Sequence, residues 1–331
     1  MPRILNPLRP LGLGELIDRA INFWRVHWKA LFQLMLGFQL VEVTVLAAAQ
    51  GLGRALFPLA RDPEAIKNTP EAAMPHLLGM MGVFTVAVLA SLLVEQIARV
   101  ATTHFSFTRL IGQGQPNGGD AFRHAAARLG TTTGTFLLSM GWSLVVMVLL
   151  MLPAFGLGAG AVALSVSGPR SAAAVVGILA ALALILGTVV LMVWFAIRFI
   201  LVSQIIAIEP LGAVATFRRA NALSSGRIHE GPGGIVKLRL TVLVTIVGLV
   251  LLIMSTVASL PTLIAGAAFG ANFTPGHTLN DVVPLYVLLP LQLIQSVLGA
   301  VLSPLYIVFQ TFFYTDMRVR REGLDLELAL T

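Results

Sequence analysis

The chain has 331 residues, 57% of them hydrophobic and 11% charged, with no cysteine and a formal net charge of +7. Soluble domains carry about 25% charged residues, so this balance excludes a soluble globular protein and predicts an all-α polytopic membrane helical bundle. The lack of cysteine also excludes disulfides, thiolate catalysis and cysteine-based metal sites.

In chain order, six segments are long and apolar enough for a hydrocarbon core that needs about 20 residues of helix. They are 30–52, 77–99, 131–152, 172–201, 238–262 and 283–312. The start, MPRILNPLRPLGLGELIDR, has no short apolar run leading to a small-residue cleavage site, so no cleaved signal peptide is expected. Next comes an amphipathic helix over 12–28. Leu16, Ile17, Ala20, Ile21, Trp24 and Trp28 share one face, and Glu15, Asp18, Arg19, Asn22 and Arg25 share the other. That pattern predicts a helix lying in the membrane interface, with Phe23, Trp24 and Trp28 at headgroup depth. The loop from Arg54 to His76 carries four prolines and is expected to be irregular, with a short helix from Pro63 to Lys67.

A second surface helix is predicted over 119–129, capped by Asp120, with Phe122, Ala125, Ala126 and Leu129 on one face. Gly112 and Gly114 precede it as a flexible connector; no strand precedes them, so they are no dinucleotide loop. A third surface helix over 210–225 starts at Glu209 and Pro210 and stops at Ser224, Ser225 and Gly226. Each surface helix leads into two spans. The chain therefore reads as a single membrane domain, 1–331, of three parallel two-span repeats at 12–100, 117–201 and 209–321, with a tail over 313–331. Pro58, Pro153 and Pro261 fall near the outer end of the first span of each repeat.

Basic residues resist translocation, so their placement sets orientation. Of the 22 lysines and arginines, 5 lie up to Lys29, 4 from Arg99 to Arg128, 6 from Arg198 to Arg239 and 3 in the tail, or 18 on one side. Arg54, Arg61, Lys67 and Arg170 make 4 on the other. Both termini are thus expected in the cytoplasm. The same charge suits anionic lipid headgroups at the cytoplasmic face; nucleic acid, which needs a basic patch on a folded soluble surface, is not expected as a partner.

Three stretches carry a family resemblance: LRPLGLGELIDRAINFWRVHW, IEPLGAVATFRRANALSSGR and YTDMRVRREGLDLEL. Together they resemble the signatures of the bacterial glycerophosphoryl diester phosphodiesterase membrane-domain family, over nearly the whole chain. The third signature corresponds to Tyr314, Asp316, Arg318, Arg320, Glu322, Gly323, Asp325 and Leu326. The second departs from the family pattern, with Ala220 and Asn221 where a serine and a tryptophan are usual. The resemblance implies a multi-pass protein of the bacterial inner membrane. It transfers no activity, because the phosphodiesterase domain that gives the family its name has no counterpart here.

Motifs of chemistry are sparse. The six histidines have no paired helical spacing, and His76, His277 and Asp281, external residues able in principle to meet around a metal, read as solvated loop residues. Neither a Gly-x-Ser-x-Gly elbow nor a Walker loop occurs. No catalytic, cofactor-binding or metal-binding residue is assigned, and no cofactor is expected. Pairs such as Gly130 with Gly134, Gly156 with Gly160 and Gly266 with Gly270 predict close helix packing within one bundle.

Two polar groups stand out. Glu42 lies near the middle of the first span, one turn from Gln39, with Gln292 and Gln295 of the sixth span at comparable depth. It is expected to be a neutral acid hydrogen-bonded to these amides, or else a titrating group in transport. The second is a cytoplasmic charge clasp, in which Asp316 pairs with Arg320 and Arg318 with Glu322 along one helix, and the group reaches Asp18 and Arg19. The expected function is a non-enzymatic membrane accessory or scaffold engaging lipid headgroups or an unidentified membrane protein partner. The alternative is a small-molecule or lipid transporter using the repeat interface.

Overall fold

The computed structural model describes residues 9–61, 68–112, 114, 116–167, 170–227, 235–269, 283–324 and 326. Its helices are α1 (Leu13–Leu56), α2 (Pro70–Leu110), α3 (Gly118–Ala127), α4 (Leu129–Ser167), α5 (Arg170–Phe199), α6 (Val202–Ile208), α7 (Ala213–Ser224), α8 (Val236–Ala268) and α9 (Leu285–Glu322). A 3-10 turn covers Pro58–Arg61, and no strand occurs among the described residues. Among the described residues five helices are long and apolar enough to cross a membrane: α1, α2, α8, α9 and the Leu129–Leu149 part of α4. In α5 the apolar stretch is shorter, Ala174–Val190. The all-α, multi-span class stands on these elements. The helix expected over 63–67 lies outside the described residues.

The helices fall into two compact units, Met1–Leu129 with Val242–Thr331, and Gly130–Thr241. In the first unit α1, α2 and α9 pack on one another and α3 packs on α2. The 44 residues of α1 rise roughly 66 Å, about twice a hydrocarbon core. No break separates the expected surface helix over 12–28 from the span that follows. The sequence offers no proline or glycine between Trp28 and Leu36 to end a helix, and the stripe Leu16, Ala20, Leu31, Leu34, Met35 and Phe38 is buried along its whole length. The apolar face assigned to the membrane surface is therefore covered by protein: Phe23 meets Phe312 edge-on at 5.8 Å, and the Trp24 indole N–H donates to the Val301 carbonyl at 3.1 Å. Trp28 alone of the three aromatics is exposed.

The best-buried segment of the chain is the last third of α9, where every residue from Ile307 to Met317 is buried. On α2 the run Val100–Thr103 and then Phe105 and Ser106 are buried too. At the corner joining α1 to α2, Phe57 lies across Gly79, where an added Cβ would stand 2.2 Å from the ring. Only a residue without a side chain allows that approach. Helix α3 starts with a capping box. Asn117, rather than Asp120, is the cap; its side chain accepts from the Asp120 N–H at 2.8 Å and the Asp120 carboxylate accepts from the Asn117 N–H at 3.3 Å.

In the second unit α7 packs on α5 and α6. Glu209 closes α6 instead of opening α7, whose N-cap is Gly212. Its carboxylate takes the Arg219 Nε at 3.0 Å, tying the Glu-Pro-Leu-Gly turn to the helix after it. The stop is as expected: Ser225 hydrogen-bonds the Asn221 carbonyl and Gly226 has φ +92°. Gly134 lets α4 approach α7 closely, since a Cβ there would be 3.3 Å from that of Ala213.

Candidate functional site

The clasp forms at the end of α9, and it is anchored on a backbone. Asp316 carries a fully buried side chain, 4 residues before Arg320, and the Arg320 Nε lies 3.0 Å from both carboxylate oxygens. Asp316 also accepts the Leu11 N–H at 2.8 Å, and Arg320 donates to the Leu11 carbonyl at 2.7 Å. Leu11 precedes α1, and both of its peptide groups are held by these two side chains. Arg318 pairs with Glu322 at 3.0 Å along the same helix.

The expected reach to Asp18 and Arg19 is replaced by this contact. Arg19 bonds Glu15 at 2.8 Å, one turn away, and Glu15 also holds Arg9 at 2.7 Å. Asp18 is exposed. Arg19 and Asp316 do share the wall of a small crevice with Arg9 and Leu11. The clasp thus gathers Arg9, Leu11, Asp316 and Arg320 around the entry to α1.

The second polar group assembles differently from the expected Glu42, Gln39, Gln292 and Gln295 cluster. Gln295 donates to Thr262 of α8 at 2.8 Å, and Gln39 packs against Gly299, with its Oε1 at 3.4 Å from where a Cβ would be. Glu42 lies within electrostatic range of Glu95 and Arg99 of α2. Residue spacing places Glu42 at the right depth and leaves the rotation of α1 open, and rotation is what decides between α2 and α9.

Glu95 and Arg99 form the expected helical pair at 2.5 Å. The Arg99 guanidinium also lies over the Tyr306 ring of α9, 5.8 Å from its centroid, and the Tyr306 side chain hydrogen-bonds Gln310. One polar site therefore spans three helices: Glu42 from α1, Glu95 and Arg99 from α2, Tyr306 and Gln310 from α9. Nearer the helix ends, His104 of α2 stacks on His124 of α3 at 3.7 Å, and Arg109 lies 3.4 Å from His27. The i, i+4 spacing disclosed the Glu95–Arg99 pair, but no spacing rule relates Tyr306, or the His104–His124 stack, to partners on another helix.

Each unit also carries a concave feature. An apolar groove of about 560 Å³ in the first unit is lined by Leu34, Phe38, Val41, Val94, Phe122 and Leu129, among others. In the second unit a crevice of about 300 Å³ lies among Trp142, Arg198, Phe217 and Arg218. His76 stands edge-on to Phe57 at 6.1 Å, while His277 and Asp281 lie outside the described residues. Among the described residues no group of His, Asp and Glu has the arrangement of a metal site. No protein-family model, no curated protein and no solved structure matches this chain.

Proposed function

We propose that the chain is a non-enzymatic accessory or scaffold protein of the bacterial inner membrane, which holds anionic lipid headgroups, and through them or beside them a membrane partner, at its basic end. The observation that carries this reading is the distribution of uncovered cations. Arg25 and Lys29 on α1 and Arg218 on α7 are all exposed, and each stands on an amphipathic segment leading into an apolar span. Near an anionic surface each such cation contributes about 1 kcal/mol of attraction. In this reading α5 is the sixth span, the helix pairs form three parallel repeats, and both termini are cytoplasmic. The family resemblance of the three signatures points the same way, toward a membrane domain.

The test is thermal stability of the delipidated protein in neutral detergent with added phosphatidylglycerol or phosphatidylcholine. Phosphatidylglycerol should raise the melting temperature more, and molar salt should erase most of the difference. Equal stabilisation by both lipids would remove the headgroup role. For orientation, a cysteine at Asn68 should label in intact cells and one at Leu326 should not; the reverse result would invert the topology.

A second reading, proton-coupled transport, is favoured by one arrangement: Glu42 lies within electrostatic range of a second carboxylate, Glu95, and of the Arg99 that Glu95 pairs with. In proteoliposomes, Glu42→Gln would then fold normally and abolish substrate-driven proton movement. If neither parent nor variant moves protons with any candidate solute, Glu42 is a structural group.

A further inference from the structure

We propose that the crevice between α4, the end of α5 and α7 is a specific binding site for the phosphate headgroup of an anionic glycerophospholipid. The proposal rests on the headgroup reading above and deepens it by naming the residues. The crevice, about 300 Å³, is walled by Leu138 and Trp142 of α4, Arg198 of α5, and Phe217, Arg218 and Asn221 of α7. That volume lies at the small end of ligand sites, suited to a headgroup rather than a whole lipid.

Charge supplies the first argument. Arg218 and Arg219 are neighbours in sequence, but only Arg219 is neutralised, by Glu209 at 3.0 Å. Arg218 is exposed at the crevice, and among the described residues no carboxylate pairs with it or with Arg198. The Arg198 guanidinium is stacked on the Trp194 ring at 4.9 Å from its centroid, which fixes the side chain with its N–H edge available. Two guanidinium groups on one small crevice offer the forked donors that phosphate oxygens accept. The Asn221 amide and the Trp142 indole N–H add neutral donors on the same wall.

The second argument is what surrounds the cations. Phe199 and Phe217 meet at right angles, 4.8 Å between centroids, so the floor is rigid and apolar. Trp142 and Leu138 are 45% and 43% exposed, and Leu137, Leu144 and Val145 continue an exposed apolar strip along α4. A free phosphate would meet that strip as surplus apolar surface. A phospholipid uses both parts, its phosphate between Arg198 and Arg218 and its acyl chains along α4, with Trp142 at the boundary where tryptophan partitions best.

Native mass spectrometry of the delipidated protein, titrated with phosphatidylglycerol, decides the matter. The parent should hold one lipid more tightly than the rest, and Arg198→Gln/Arg218→Gln should weaken that first binding step by about tenfold or more. Arg54→Gln, in the last turn of α1 and outside the basic surface named above, should leave the step unchanged. Arg218→Gln alone, at an exposed position, is expected to keep the parent's melting temperature without lipid, so a weaker first step in it reports the site and not the fold. If the double variant binds its first lipid as the parent does, the crevice is not the site, although a general preference for anionic lipid would survive. A parent with no preference for phosphatidylglycerol over phosphatidylcholine would overturn both readings together. Competition by millimolar inorganic phosphate or glycerophosphate would overturn the lipid assignment in favour of a soluble phosphate site.

Discussion

The last turns of α9 and the middle of α5 are both helical and both apolar, yet they have opposite fates. From Ile307 to Met317 every residue of α9 is buried, although the run includes Gln310, Thr311, Thr315 and Asp316. On α5, Ile178, Leu182, Ile185, Leu186, Val189 and Val190 are each 49% exposed or more, and the stretch has no charge at all. In water the second pattern would be the core. In a membrane, lipid tails are as apolar as leucine, so hydrophobicity drives a helix into the bilayer and gives it no reason to touch another helix. Packing then goes to aromatic, small and hydrogen-bonding residues. Phe105, Phe309, Phe312, Phe313 and Tyr314 are buried with Thr102, Thr103, Ser106 and Gln310, while the aliphatic surface of α5 stays exposed.

The comparison breaks most severely at Asp316. Its carboxylate holds the Leu11 N–H and Arg320, and its side chain is fully buried. Asp316→Ala would leave a guanidinium and a peptide N–H buried without their acceptor, a change that costs about 3 to 5 kcal/mol in comparable buried pairs. Equilibrium unfolding in mixed micelles should register it. A loss under about 1 kcal/mol would mean that the clasp is no more than a surface ion pair. Arg318, paired with Glu322 along the helix, is the internal control, and Arg318→Ala should cost well under half as much.

That contrast also marks what the sequence made legible. Hydropathy located the long helices, because bilayer entry depends on composition summed over a window and needs no partner. The pairs Asp316–Arg320, Arg318–Glu322 and Glu95–Arg99 followed from helical spacing alone. The outer partners did not. Leu11 takes part in the clasp through its peptide group, and a peptide group has no side-chain signature. The face of α1 carrying Leu16, Ala20 and Trp24 has the same periodicity whether lipid or α9 covers it, so the pattern located the face and not its cover. Glu42 failed for a related reason, since a shift of one residue around the helix exchanges α9 for α2. At Asn117 and Asp120 both residues are competent caps, and the capping box uses both.

A middle case is α3, a helix of 10 residues, where local hydrogen bonds rather than lipid or deep packing fix the start of the helix. Asn117→Ala removes the acceptor for the Asp120 N–H and should cost about 1 kcal/mol. Hydrogen exchange at the amides of Asp120 and Ala121 would speed accordingly. Unchanged protection there would mean that packing of Ala121 and Ala125, both buried, holds the helix without its cap.

The smallest effect is expected where the sequence is most hydrophobic. Ile185 is 57% exposed on α5 and its neighbour Leu186 62%. In a soluble protein a buried isoleucine cut to alanine costs about 2 to 5 kcal/mol, from lost transfer energy and from the cavity left behind. If α5 is the sixth span proposed above, neither term applies to Ile185. Lipid tails move into the vacated volume, so no cavity persists, and alanine is the better helix former because it has no branched Cβ to restrict against the preceding turn. What remains is the loss of insertion energy, about 0.5 kcal/mol for isoleucine at the centre of a span. Ile185→Ala should therefore change stability by less than about 0.5 kcal/mol in the same micelles where Asp316→Ala is severe. A cost of 2 kcal/mol or more would show that a protein surface covers Ile185 in the membrane. That cover would be a partner or a second copy of the chain, and α5 would then be an interface rather than a lipid-facing helix.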